Sequence, residues 1–212
     1  MRLLLLGATG LVGSKALELA LSSDDVSELI APTRTPLATH KKLVNPVASR
    51  LTDLLPSVAQ LRPDAVICAL GTTQAIAGSK EAFIHVDHEL PIAFGKAAYD
   101  AGARTCVIVT AMGASVDSRF FYPRTKGQVE RDIMQIGFSS LTICRPSLID
   151  GNRNEERRAE GLALKVTRLL SPILPKNFRV NPAETIAAAL LDAAIAAKPG
   201  RRWIKSEEMS QD

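Results

Sequence analysis

The sequence predicts an α/β domain built on a doubly wound parallel sheet. Three observations carry that prediction. Short, nearly continuous apolar runs alternate with stretches of helical periodicity, as in βαβ units whose helices cover both faces of a sheet. The stretch GATGLVG joins the first apolar run to the first helical stretch. The chain has 212 residues, 46% of them hydrophobic and 23% charged, which suits one domain with a full core.

The elements follow in order. Leu3–Leu6 has the length of a buried strand. It is too short for the apolar stretch of a secretory signal, roughly 7–15 residues, because Gly7 and Gly10 interrupt it and Ser14 and Lys15 are polar. Leu11, Ala16, Leu19 and Ala20 recur at helical spacing and predict a helix over Leu11–Leu21. Further strands are expected at Ser27–Ala31, Leu43–Val44, Ala65–Leu70, Thr105–Thr110 and Leu141–Cys144. Helices are expected at Leu51–Leu61, Ala82–Ala101 and Pro123–Ile136. Pro123 fits only a first turn, so the last of these starts near Tyr122.

After Arg145-Pro146 the character changes. GNRNEERRAEG reads as a polar loop and Leu162–Leu170 as a helix ended by Ser171-Pro172. NPAETIAAALLDAAIAAKPG reads as a helix with Asn181 as N-cap, Pro182 at its first position and Glu184 three residues on from the cap. Lys198, Pro199 and Gly200 close it. No linker separates a second domain, so the chain is one unit whose residues from about 150 to the end form a short C-terminal cap on the substrate side.

Composition excludes several function classes. The formal charge of +4 and pI near 9.1 fit a small anionic ligand. No block of like charge interleaved with aromatics argues for nucleic acid, and no apolar run approaches a membrane span. Cys68, Cys106 and Cys144 each lie in an apolar, β-branched run and read as small buried hydrophobes. Their odd number and strand placement favour a reducing, cytoplasmic setting over a disulfide framework. No metal site is expected. His40, His85 and His88 converge with no other ligand and read as surface histidines. Asp87 and Glu89 read as the outer face of their helix, and Asp117 and Asp150 as turn residues.

The glycine turn has a physical reading. Gly7 permits a tight turn, Gly10 a close approach of backbone to a pyrophosphate, and Gly13 close packing of helix on strand. Thr9, Leu11 and Val12 complete the turn, where the helix N-terminus offers free N–H groups and a positive dipole end. The spacing is GxxGxxG rather than GxGxxG, but it stands at the first strand–helix junction, where a dinucleotide site requires it. The second strand, ELIAPTR, ends in Thr33 and Arg34. An acid there would bind a ribose 2′-hydroxyl; a basic residue accommodates a 2′-phosphate and favours NADP(H).

Tyr122 and Lys126 in SRFFYPRTKGQVE are four residues apart, on one face of a helix. An ammonium nearby favours the phenolate, and a tyrosine tuned this way can pass a proton to or from a substrate oxygen near neutral pH.

GATGLVG, ALGTT after the fourth strand, VIVTAMGAS…YPRTKG and CRPSLIDG, in that order, resemble the short-chain dehydrogenase/reductase superfamily in its extended or atypical form. LGTTQAIAGSKEAFIHVDHEL and FYPRTKGQVER…ICRPSLIDG resemble, more narrowly, the Tat-interacting (CC3-like) oxidoreductases and their bacterial relatives. The resemblance runs from about Arg2 to Ala197. It implies an NAD(P)-binding Rossmann fold with NADP(H) as cofactor, and a homodimer as an ordinary arrangement. It implies that Ala69, Leu70 and Gly71 line the cofactor ribose, and that Arg145, Pro146 and Ser147 lie beside the nicotinamide. Tyr122 is then the general acid, Lys126 holds the ribose and tunes the tyrosine, and Thr110 supplies the helper hydroxyl, with Ser115 in reserve. Two departures stand out. Ala111 and Met112 occupy places where relatives often carry serines, and Ser49 in NPVASRL stands where an acid often meets the adenine.

The expected function is NADP(H)-dependent reduction of a small carbonyl compound. A C-terminal segment of about sixty residues is short for a nucleotide-sugar site. Two other readings stay open: a cofactor-binding redox sensor or partner-binding protein without turnover, and an epimerase or dehydratase with tightly held NAD.

Overall fold

The computed structural model describes residues 1–150 and 180–209. Seven strands form one parallel sheet: β1 (Arg2–Leu6), β2 (Glu28–Ile30), β3 (Leu43–Val44), β4 (Ala65–Cys68), β5 (Thr105–Val109), β6 (Ser140–Arg145) and β9 (Gly200–Lys205), in the spatial order β3-β2-β1-β4-β5-β6-β9. Their helices are α1 (Leu11–Ser22), α2 (Leu55–Leu61), α3 (Gln74–Ala77), α4 (Lys80–Ile84), α5 (Leu90–Asp100), α6 (Phe121–Ile136) and α7 (Ala183–Ala196). A two-stranded pairing of β7 (Ile149–Asp150) with β8 (Asn181–Pro182) stands apart. The α/β, doubly wound, Rossmann-type expectation is met.

The first strand shows why the sheet is covered on both sides. Leu3 and Leu5 lie in one core with Ala16 and Ala20 of α1 and Ile186, Ala187 and Leu190 of α7. Leu4 and Leu6 lie in the other, with Val58 of α2, Phe94 of α5 and Val129 and Ile133 of α6. Side chains alternate faces along a strand, so an all-leucine run fits only where both faces are dry. The register Leu3↔Ala65 through Leu6↔Cys68 sets β1 beside β4. The strand order reverses between these two, and their carboxyl ends open the crevice where such sheets bind ligands.

Three local expectations are corrected. The helix expected over Ala82–Ala101 is α4 and α5 joined by a π-helical turn, His85–Glu89. Pro91 supplies the reason: it has no N–H for the Asp87 carbonyl, and its ring crowds that oxygen, so the turn widens. Asn181 is not the N-cap of α7, which begins at Ala183 after Pro182. The Asn181 side chain is instead fully buried, where Oδ1 accepts from the Ser147 N–H (2.8 Å) and the Ser206 hydroxyl (2.9 Å) and Nδ2 donates to the Ser206 carbonyl (2.9 Å). Strand β9 was not foreseen. It pairs with β6 from Ser140↔Gly200 to Arg145↔Lys205. The expected loop after Asp150 and the helix at Leu162–Leu170 lie outside the described residues.

Candidate active site

The glycine turn is built as the residues require. Gly7 has φ +84°, and a Cβ there would stand 2.6 Å from the Ala69 carbonyl oxygen. A Cβ on Gly13 would stand 1.9 Å from the Gly7 carbonyl oxygen, so only glycine allows α1 to start this close to β1. The Gly10 N–H donates to the Gly7 carbonyl at 2.8 Å. Gly10 is the N-cap of α1 and no side chain caps that end. The first-turn N–H groups of the helix are thus left for an anion.

A cleft of about 580 Å³ opens in front of this turn. Gly7, Thr9 and Gly10 line it from the turn after β1, Thr33 and Arg34 from the loop after β2, and Ala69, Leu70 and Gly71 from the loop after β4. Ser49 and Arg50 also line it. The Thr33 hydroxyl donates to the Thr35 carbonyl (2.7 Å) and accepts from Asn45 Nδ2 (2.8 Å), which fixes the loop presenting exposed Arg34 to the cleft.

A second cleft, about 250 Å³, shares Ala69, Leu70, Gly71 and Thr72 with the first. Leu11, Val12, Thr110, Tyr122, Lys126, Pro146 and Ser147 line it, so residues far apart in the chain meet here. Three of the expected residues line neither cleft. Gly13 acts through packing, and Arg145 is bound to Glu130. The Ser115 hydroxyl accepts from the Asp117 N–H at 3.3 Å, a turn role.

Tyr122 and Lys126 share one face at the start of α6. The buried Phe83 ring of α4 packs on Tyr122 with centroids 5.9 Å apart and on Phe121 at 5.4 Å, anchoring this end of the helix. Lys126 Nζ lies 5.9 Å from the Tyr122 ring centroid. The ammonium has a partner that the sequence did not reveal. Asp87 is 1% exposed, not on the outside of its helix, and its Oδ1 is 2.6 Å from Lys126 Nζ. Burial pushes the Lys126 ammonium down, but the Asp87 carboxylate, followed by Tyr122, more than compensates and holds it above the ordinary lysine value. The signal that could have located Asp87 is its helical spacing from Phe83, Leu90 and Phe94, all of them buried.

Thr110 also differs from expectation. Its hydroxyl donates to Glu130 Oε1 at 2.7 Å, and the Arg145 guanidinium grips both oxygens of the same carboxylate, with Nε to Oε1 at 2.9 Å. The helper hydroxyl therefore faces a buried ion pair. His85 lines the larger cleft and pairs with Glu89, and His88 pairs with Asp132. No group of three metal-ligating side chains occurs among the described residues. No helix among them is long and apolar enough to cross a membrane.

The fold is that of known nucleotide-dependent enzymes. The Bordetella bronchiseptica enzyme WbmH, solved in complex with NAD+, superposes with a TM-score of 0.72 at 14% identity, over 97% of this chain and 75% of that one. The UDP-glucose 4-epimerase of Thermotoga maritima, solved with UDP-glucose, superposes with a TM-score of 0.68 at 14% identity, over 98% and 77%. In sequence the chain is 35% identical to the mitochondrial protein fmp52 of Aspergillus niger, over 97% of this chain and 92% of that protein. It is 38% identical to FMP52 of Candida albicans, over 71% and 68%. No protein-family profile matches the chain. The relatives' names are mitochondrial, which overturns the cytoplasmic expectation. Buried thiols show that no disulfide is needed; they do not say which compartment keeps them reduced.

Proposed function

The chain belongs to the FMP52 family, and we propose that it is an NADP(H)-dependent oxidoreductase that reduces a small carbonyl compound. The observation that carries this reading is the position of Tyr122 and Lys126, on the wall of a cleft that joins the glycine-turn cleft through Ala69, Leu70 and Gly71. GATGLVG, YPRTKG and CRPSLIDG keep the reading within the extended short-chain dehydrogenase/reductase superfamily, beside the Tat-interacting oxidoreductases.

The residues fit a nicotinamide dinucleotide. The uncapped start of α1, held close to β1 by Gly7 and Gly13, suits a pyrophosphate. Arg34, with Ser49 and Arg50 lining the same cleft, suits a 2′-phosphate and supports NADP(H) over NAD(H). When bound, the reduced cofactor supplies a hydride to the carbonyl carbon. Tyr122 donates the phenolic proton to the carbonyl oxygen, giving the alcohol. Lys126 keeps a positive charge beside the phenol and favours the phenolate left behind. Leu11, Val12, Pro146 and Leu148 give the smaller cleft an apolar lining that limits water.

A second reading has one observation in its favour. The Thr110 proton is given to Glu130, so the substrate oxygen lacks its expected second donor. A protein that binds NADP(H) and signals its redox state would not need that donor. The test is NADPH oxidation across a panel of aldehydes and ketones, with Tyr122→Phe as control. Reduction by the wild type, and a rate lowered about 10²-fold or more in Tyr122→Phe at unchanged NADPH affinity, supports the enzyme. Cofactor binding without turnover on any carbonyl, and indifference to Tyr122→Phe, supports the sensor.

A further inference from the structure

Asp87, in the π-helical turn between α4 and α5, is a buried carboxylate with two partners. Its Oδ2 accepts from the Thr72 N–H at 2.7 Å, immediately after Gly71 of the loop shared by both clefts. Its Oδ1 faces Lys126 Nζ at 2.6 Å as an ion pair. The carboxylate also lines the smaller cleft. Asp87 shares the buried face of the α4–α5 segment with Phe83, Leu90 and Phe94, and it lies in a π-helical turn, a feature that recurs at functional sites.

We propose that Asp87 is a positioning residue for the reduction: one oxygen sets the Lys126 ammonium at the Tyr122 phenol, and the other fixes the cofactor-lining loop at Thr72. This rests on the oxidoreductase reading for its functional meaning. One carboxylate then ties the cation of α6 to the loop after β4. A shift of the loop at Thr72 therefore disturbs the carboxylate that faces the ammonium. Burying a lone lysine at this depth would disfavour its charged form, so the pairing decides whether Lys126 acts as a cation at all. The groups facing Lys126 are Asp87 from the π turn, Tyr122 from its own helix and Cys68 from β4, and Asp87 contributes the most toward keeping the charge.

The test compares Asp87→Asn with the wild type in two measurements. Asparagine keeps an acceptor for the Thr72 N–H and loses the charge. The first measurement is a pH titration by NMR of protein labelled at the lysine side-chain carbons, with Lys126 assigned through Lys126→Arg. It needs neither substrate nor cofactor. In the wild type Lys126 titrates above the exposed lysines of the same protein; in Asp87→Asn it titrates below them. The second is NADPH affinity against pH. Asp87→Asn loses about tenfold as the pH rises through its lowered lysine titration, while the wild type stays flat over that range. Titration of Lys126 with the exposed lysines in both proteins overturns the proposal, as do parallel affinity profiles. A wild type that binds no NADPH at any pH overturns the oxidoreductase reading instead, and the lysine resonance still decides whether Asp87 holds the cation. Asp87→Glu, which restores charge, restores the high lysine titration if the role is electrostatic; failure to do so with the fold intact counts against it.

Discussion

The hydroxyl of Thr110 donates to Glu130 at 2.7 Å, and Glu130 is gripped through both oxygens by Arg145. This triad ties the end of β5 to α6 and β6 behind the smaller cleft. Glu130 is 3% exposed, whereas the Arg145 side chain is a third exposed, at 33%. Removing the arginine leaves a buried carboxylate without its cation. Arg145→Ala should therefore lower stability by about 2–4 kcal/mol, below the upper range for fully buried pairs because water reaches the guanidinium. Thr110→Val should cost about 1.5–3 kcal/mol, the value of a hydrogen bond to a charged group. Urea unfolding checks both, through the midpoint at constant slope.

The glycine turn makes a second prediction. Alanine at position 13 would place its Cβ 1.9 Å from the Gly7 carbonyl oxygen, and at position 7 it would also meet φ +84°. Each variant should lose about 3 kcal/mol or more, beyond ordinary overpacking. Gly71→Ala is the contrast. Its Cβ would meet nothing closer than 3.6 Å, so stability should stay within about 1 kcal/mol while the variant narrows the groove. Thermal melts of the three variants check the ranking.

How much of this was legible in the sequence depends on how local each signal is. The strand, glycine turn and helix at the N-terminus lie within one contiguous segment, and the Leu3–Leu6 run declared a strand covered on both faces. Tyr122 and Lys126 announced themselves by spacing. Asp87 did not, because the cation that pairs with it comes from another helix, 39 residues further along the chain. Strand β9 was missed because RRWIK, on a sheet edge, keeps only Ile204 buried and carries no alternating apolar signal. Asn181 looked like a cap, but contacts with Ser147 and Ser206, distant in sequence, claimed its side chain.

The cysteines should be silent in the native protein. Burial pushes the Cys68 and Cys144 thiols up to about 12 and Cys106 well above its ordinary value. The thiolate is the reactive form, so Ellman's reagent at pH 8 should release no thiolate absorbance until denaturant is added, then the equivalent of three thiols. Prompt reaction without denaturant would mean that a strand of the core opens.

Acid should loosen the tie between the π turn and α6. Hydrogen bonds from Arg131 and, against partial burial, from His88 hold the Asp132 carboxyl below the usual carboxylate range. As pH falls, the unfolded chain takes up this proton first. The stabilisation is thus fully present above the ordinary carboxylate pKa, about 4, and is lost as pH falls through the lower folded value. Asp132→Asn should be less stable than the wild type at pH 7, and the gap should close at strongly acid pH. Chemical denaturation across pH 2–7 checks this.

The most direct test of the cofactor assignment is a titration of the purified protein with NADPH and with NADH, followed by the emission of the reduced nicotinamide, repeated on Arg34→Ala. The account predicts tight NADPH, weaker NADH, and a preference reduced about tenfold or more in the variant, the worth of one charge-assisted contact to phosphate. Equal affinity for the two cofactors, or binding of neither, would contradict it: the glycine turn would then be structural or serve another nucleotide, and the oxidoreductase reading would fall with it.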